Sequence, residues 1–77
     1  MTLTEGTLYY DESQDRLYSH DYRGNEHYFH CGEFVQLREG GAWEDTRVEH
    51  SQRIGPYLVG FYQDGEIPWG LMVRFYA

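Results

Sequence analysis

Apolar side chains recur in this sequence at about every second position, in short bursts separated by Gly, Asp, Asn and Pro, and this alternation constrains the fold more than any other feature. A period of two places successive side chains on opposite faces of an extended chain. Each burst therefore has one face to bury and must find paired neighbours to bury it against. No window of about eleven residues carries an apolar stripe at helical spacing. The alternation predicts an all-β (mainly β) unit spanning residues 1–77 as a single small domain. About five to seven short strands are too few for a sandwich of two full sheets, which leaves a small, strongly bent antiparallel sheet or an SH3-like barrel.

The strands can be placed between their turns. Residues 6–10 form the first burst, residues 11–15 supply a polar turn, and residues 16–20 return as the second strand. Gly24 and Asn25 both tolerate positive φ, so 21–25 reads as a tight turn leading into a strand over 26–30. A hairpin follows, joining 33–38 to 42–50 through Glu39-Gly-Gly41. Trp43 and Val48 have opposite parity, and a β-bulge near Glu44-Asp45 is expected so that both can reach the core. Residues 57–61 and 71–76 complete the set. Between them Gly60 marks a bend and Gln63-Asp-Gly65 a turn, while Pro68 keeps 66–70 out of the centre of a sheet and Trp69 anchors the loop.

A chain of 77 residues has room for one core and no second. Its eight Tyr, four Phe and two Trp are expected to supply the bulk of that core. A lone cysteine, Cys31, excludes an internal disulfide and opposes a thiolate zinc site. No run approaches the ~20 apolar residues of a membrane helix, and the first residues lack the regions of a signal peptide, so a cytoplasmic protein without membrane contact is expected. Thirteen acidic residues against six arginines and no lysine give a formal charge of −7, which repels a phosphate backbone; no direct nucleic-acid binding is expected.

Gly6-Thr-Leu-Tyr-Tyr-Asp11, Arg16-Leu-Tyr18, His30-Cys-Gly-Glu33, Gly41-Ala-Trp43, Thr46-Arg-Val-Glu49, Tyr57-Leu-Val59 and Gly70-Leu-Met-Val-Arg74 occur in this order. Together they resemble the short bacterial proteins grouped as domain of unknown function 5348. The resemblance covers nearly the full chain. It implies a small β-rich fold and an origin in Gram-positive bacteria, often on phages and mobile elements, and it implies no activity. The stretch from His20 to His27 and the tail Phe75-Tyr-Ala77 lie outside the pattern.

His20, His27, His30 and Cys31 lie close together and are of types that bind zinc. On a strand, however, His27 and His30 project to opposite faces, as do His30 and Cys31, which opposes chelation. A packed Cys31 and partly exposed histidines are the expected state. As a nucleophile Cys31 needs a lowered pKa, and the neighbouring Glu26 and Glu33 act in the opposite direction. No spacing among the carboxylates singles out a catalytic pair. No catalytic residue, metal or cofactor is assigned, and the chain is not expected to be an enzyme.

Arg47 and Arg74 lie in extended segments and can converge on an anion such as a nucleotide phosphate. Against this, Arg47 shares a strand face with Asp45 and Glu49, either of which offers an ordinary ion pair. Eight tyrosines exceed what the core can hide, and exposed Tyr suits either an interface or a shallow core with its hydroxyls in water. Tyr22 and Tyr28, on either side of Gly24-Asn25, are the preferred members of a partner-binding patch. The expected function is a non-catalytic module binding a host or bacterial protein, which a phage or mobile-element protein would do to inhibit it, its carboxylates occupying a basic groove. The alternatives are a nucleotide-binding or sequestering protein using Arg47 and Arg74, and a metal- or Cys-dependent enzyme.

Overall fold

A computed structural model describes residues 1–62, 67 and 69–77. The turn expected at Gln63-Asp-Gly65 and the constraint expected of Pro68 fall outside the described residues. Among the described residues seven strands are formed: β1 (Leu3–Asp11), β2 (Arg16–His20), β3 (Glu26–Tyr28), β4 (Phe34–Glu39), β5 (Ala42–Ser51), β6 (Gly55–Leu58) and β7 (Met72–Tyr76). They pair antiparallel in the order β3-β2-β1-β7-β4-β5-β6. Among the described residues there is no helix, and hence none long and apolar enough to cross a membrane.

The sheet curls into a half-barrel, as the bent-sheet expectation requires. Its seam is closed by the chain between β3 and β4. Phe29 N–H donates to the Leu17 carbonyl at 3.0 Å, and a few residues on Gly32 N–H donates to the Val48 carbonyl at 2.7 Å. Val48 N–H returns to the Glu33 carbonyl at 3.0 Å, so one short segment is bonded to β2 on one side and to β5 on the other. Asp15 and His50 add a side-chain bond of 2.8 Å across the same seam.

Alternation assigns the faces. Leu8, Leu17, Leu37, Leu58 and Val73 point inward and are fully buried. Phe29 and Phe75 pack edge to face, their ring centroids 4.9 Å apart. Among the described residues these are the only two buried aromatics, with Phe61 and Tyr62 packed partly buried against the cluster, so the core is mainly aliphatic and the expectation that aromatics supply its bulk is corrected. The hydroxyls of the eight tyrosines explain most of the difference, because a hydroxyl finds its partner more readily at a rim or on the outer face. Tyr10 donates to Asp15 at 2.6 Å, Tyr28 to Asp11 at 2.7 Å, and Tyr62 to Glu39 at 2.5 Å. Trp69 is half-exposed and stacks on Tyr10.

The β4–β5 hairpin turns at Gly40 and Gly41, whose φ values of 59° and 85° are those a two-residue type I′ turn demands. Its pairing runs without interruption from Phe34↔Arg47 to Glu39↔Ala42. The bulge expected near Glu44-Asp45 is therefore absent. Val48 and Thr46 face inward while Trp43 lies on the outer face, where the guanidinium of Arg74 sits 4.3 Å from its ring centroid and that of Arg38 5.4 Å. Two cations over the indole make the outer face a favourable place for it without a register break.

Candidate binding site

β4 and β7 neighbour each other but pair at only two positions, Gln36↔Arg74 and Leu37↔Val73. Each continues further with its other neighbour: β4 pairs with β5 as far as Phe34↔Arg47, and β7 pairs with β1 as far as Leu3↔Tyr76. The start of β4 is committed to β5 by the bonds of Gly32 and Glu33 to Val48. The two strands consequently part beyond Gln36 and Arg74, leaving a cleft of about 610 Å³.

Backbone polarity in the cleft follows from the alternation of a ladder. Val48 exchanges bonds toward β4, so two residues on it is Thr46 that bonds Val35, and Val35 directs its N–H and C=O at β5. Phe34 then directs its own toward β7. Thr2 and Ala77 exchange bonds of 3.1 and 3.0 Å, so Phe75 faces β1 and Tyr76 faces β4. The backbone groups of Phe34 and Tyr76 are thus turned toward each other across the opening without forming a pair.

The rim of the cleft is apolar and its closed end polar. Phe34 is 73% exposed, Tyr76 60% and Leu3 46%, and all three line the opening. At the closed end Arg74 Nε donates to Gln36 Oε1 at 2.6 Å, and Gln36 Nε2 donates to Asp45 Oδ1 at 2.6 Å. Asp45 has no ion-pair partner among the described residues, because Arg47 pairs with Glu49 at 2.8 Å and Arg74 is held by Gln36 and Trp43.

Of the residues singled out from sequence, Arg74 lines this cleft and Arg47 lies on the same outer face opposite Phe34, in an ordinary ion pair with Glu49. The arginine that joins Arg74 is Arg38, through their shared contact with Trp43. Tyr28 belongs to a ladder of rings, Tyr9, Tyr18 and Tyr28, with centroids 5.9 and 5.0 Å apart and the Arg16 guanidinium 5.2 Å from the Tyr28 centroid. Its hydroxyl bond to Asp11, with help from Ser13, holds that carboxyl down to about 2, while the same carboxylate pushes the Tyr28 phenol up to about 12. Tyr22 stands apart in the β2–β3 turn, 90% exposed, its ring contacted by Arg23.

The histidines and the cysteine are dispersed. His27 faces inward, stacked on Phe75 and bonded to Glu33 at 2.7 Å; His30 approaches Arg16 at 3.4 Å; His20 lies exposed on the outer side of β2 opposite Glu26. Cys31 is exposed, which corrects the expectation that it is packed: it occupies the turn before β4, outside any strand. Among the described residues no three His, Cys, Asp or Glu side chains are grouped to hold a metal ion.

Phe34, Tyr76 and Asp45 escaped the sequence reading, although parity carried a signal for two of them. With Val35 and Leu37 inward, Phe34 must face out; with Val73 and Phe75 inward, Tyr76 must as well. No curated protein and no solved structure matches the chain. A family model does match, over residues 6–75, and on that correspondence, which runs through nearly every strand just described, the chain belongs to the family described as Domain of unknown function (DUF5348).

Proposed function

We propose that this protein is a non-catalytic binding module whose partner is another protein, engaged by the outer face of β1, β7, β4 and β5. The observation that carries the reading is what that face exposes: Phe34, Tyr76 and Leu3 at the rim of the cleft and Met72 at the other end of β7, beside Trp43 and Arg74. Aromatic, Met and Arg side chains are the types enriched where proteins meet, and a contiguous exposed apolar patch is uncommon on a protein that stands alone. The charge of −7 speeds encounter with a basic surface and opposes self-association. In this reading a small SH3-like barrel of phage or mobile-element origin acts in the cytoplasm by covering a basic surface of a host protein. The nucleotide alternative gains less support, since Arg47 is neutralised by Glu49 and Arg74 is engaged by Gln36 and Trp43.

A photo-crosslinking phenylalanine analogue placed at position 34 in the producing cell tests the reading. A discrete adduct with another protein is expected there and not from the same analogue at Gln52, in the exposed turn before β6. Uncrosslinked chain alone at both positions would remove it.

A further inference from the structure

We infer that the partner enters the cleft between β4 and β7 as an extended segment carrying a basic residue, an inference that rests on the protein-binding reading above. Its first support is the backbone. Phe34 and Tyr76 turn their N–H and C=O groups into the opening and do not pair with each other, whereas β4 and β7 are each bonded on their far sides. Such groups are matched best by another extended chain, which offers donors and acceptors at ladder spacing. Because successive residues of a strand direct their groups to opposite sides, one residue of the segment meets Phe34 and its neighbour meets Tyr76. The segment then completes a ladder that the fold leaves open in the middle of its sheet.

The side chains state what the segment carries. Phe34, Tyr76 and Leu3 form an exposed apolar rim that takes an apolar side chain. Asp45 lines the same cleft as a carboxylate without an ion-pair partner among the described residues, although Arg38, Arg47 and Arg74 share its face. A Lys or Arg two residues from the apolar anchor lies on the same side of the segment and supplies that partner. The overall charge of −7 selects in the same direction and disfavours a second copy of this acidic chain.

The probe is a phage-displayed library of random dodecapeptides panned against the full chain. Enriched peptides are expected to alternate apolar residues with Lys or Arg. Added as a synthetic peptide, an enriched sequence is expected to slow amide hydrogen exchange at Phe34 and Tyr76 by about tenfold or more, as new ladder bonds do. Asp45→Asn, which removes the charge and keeps the oxygen that accepts from Gln36, is expected to weaken that peptide by roughly tenfold with an unchanged melting temperature. Enriched peptides without basic residues, binding that leaves both amides unprotected, or no enrichment at all each overturn the inference. Protection of the same amides by dimerisation of the chain alone overturns it too, giving the cleft to a second copy. Cross-linking from position 34 decides the protein-binding reading separately, so a partner that docks there without adding a strand is recognised as such.

Discussion

Tyr28, the last residue of β3, donates its hydroxyl to Oδ2 of Asp11, the last residue of β1, at 2.7 Å, tying the two strands together over the intervening β2. The bond favours ionised Asp11 and protonated Tyr28, and both titrations move accordingly. Asp11 is lowered from 3.8 to about 2, so its contribution to stability is present above the ordinary carboxyl value and is lost as pH falls through about 2. Tyr28 is raised from 10.0 to about 12, so its contribution is present below the ordinary phenol value and is lost as pH rises through about 12. Tyr28→Phe is expected to be less stable than the parent between these limits and to converge with it at both ends. Urea midpoints of the two proteins against pH check this; parallel curves would mean that the bond does not form in solution.

Arg74 joins three strands at the closed end of the cleft, through Gln36 on β4 and Trp43 on β5. Lysine keeps the charge but has neither the Nε–H nor the flat guanidinium. Arg74→Lys is therefore expected to cost about 0.5–2 kcal/mol, the range of a partly desolvated cation over an indole. In a Trp69→Phe background, where Trp43 is the sole indole, its emission is expected to shift to longer wavelength. A variant as stable as the parent, with unmoved emission, would show that the stack carries no energy.

Leu37 and Phe34 belong to the same strand and should differ sharply. Leu37 is fully buried where β4 pairs with both β5 and β7, whereas Phe34 is 73% exposed. Leu37→Ala is expected to lose about 2–5 kcal/mol. That is a large share of the roughly 4–12 kcal/mol available to a domain of this size, and a fall in melting temperature of about 10 °C or more follows. Phe34→Ser is expected to stay within about 0.5 kcal/mol of the parent. Equal losses in thermal scans would mean that Phe34 is packed in solution and the cleft closed.

Local features were legible in the sequence and relations between distant strands were not. The Gly40-Gly41 turn and β2 over Arg16–His20 stand where alternation and turn chemistry put them. Trp43 was misplaced because bulk and hydrophobicity argue for a core position, and its outer-face partner, Arg74, arrives from β7. Parity states which face a residue occupies but not which strands are neighbours. The cleft arises from two strands far apart in the chain that meet and then part, a relation set by the seam bonds of Gly32 and Glu33. Arg74 could be singled out by its chemistry; Asp45 could not, since its distinction is the absence, among the described residues, of an ion pair that Arg47 forms instead with Glu49.

Gly55 and Gly60 offer an internal comparison that tests the seam. Their φ values are +80° and +81°, so alanine is strained at both by a similar amount, about 1–2 kcal/mol. At Gly60 a Cβ meets none of the described residues within 4 Å, whereas at Gly55 it comes to 3.1 Å from Oδ1 of Asp15. Asp15 accepts from His50 at 2.8 Å and from Tyr10 at 2.6 Å, and these bonds, His50 first, hold its carboxyl below the ordinary range. Displacing it loosens the closure between the β1–β2 turn and β5. Gly55→Ala is therefore expected to be the more damaging of the two, and the excess to vanish when Asp15 is also replaced by Ala. The excess should also shrink in acid, because a group whose folded pKa is lowered loses its contribution as pH falls and the carboxylate is protonated. Urea melts of the parent, each single variant and the Asp15→Ala/Gly55→Ala pair measure the coupling. Strictly additive losses would show that the half-barrel closes without Asp15, leaving the backbone bonds of Phe29, Gly32 and Val48 to hold the seam alone.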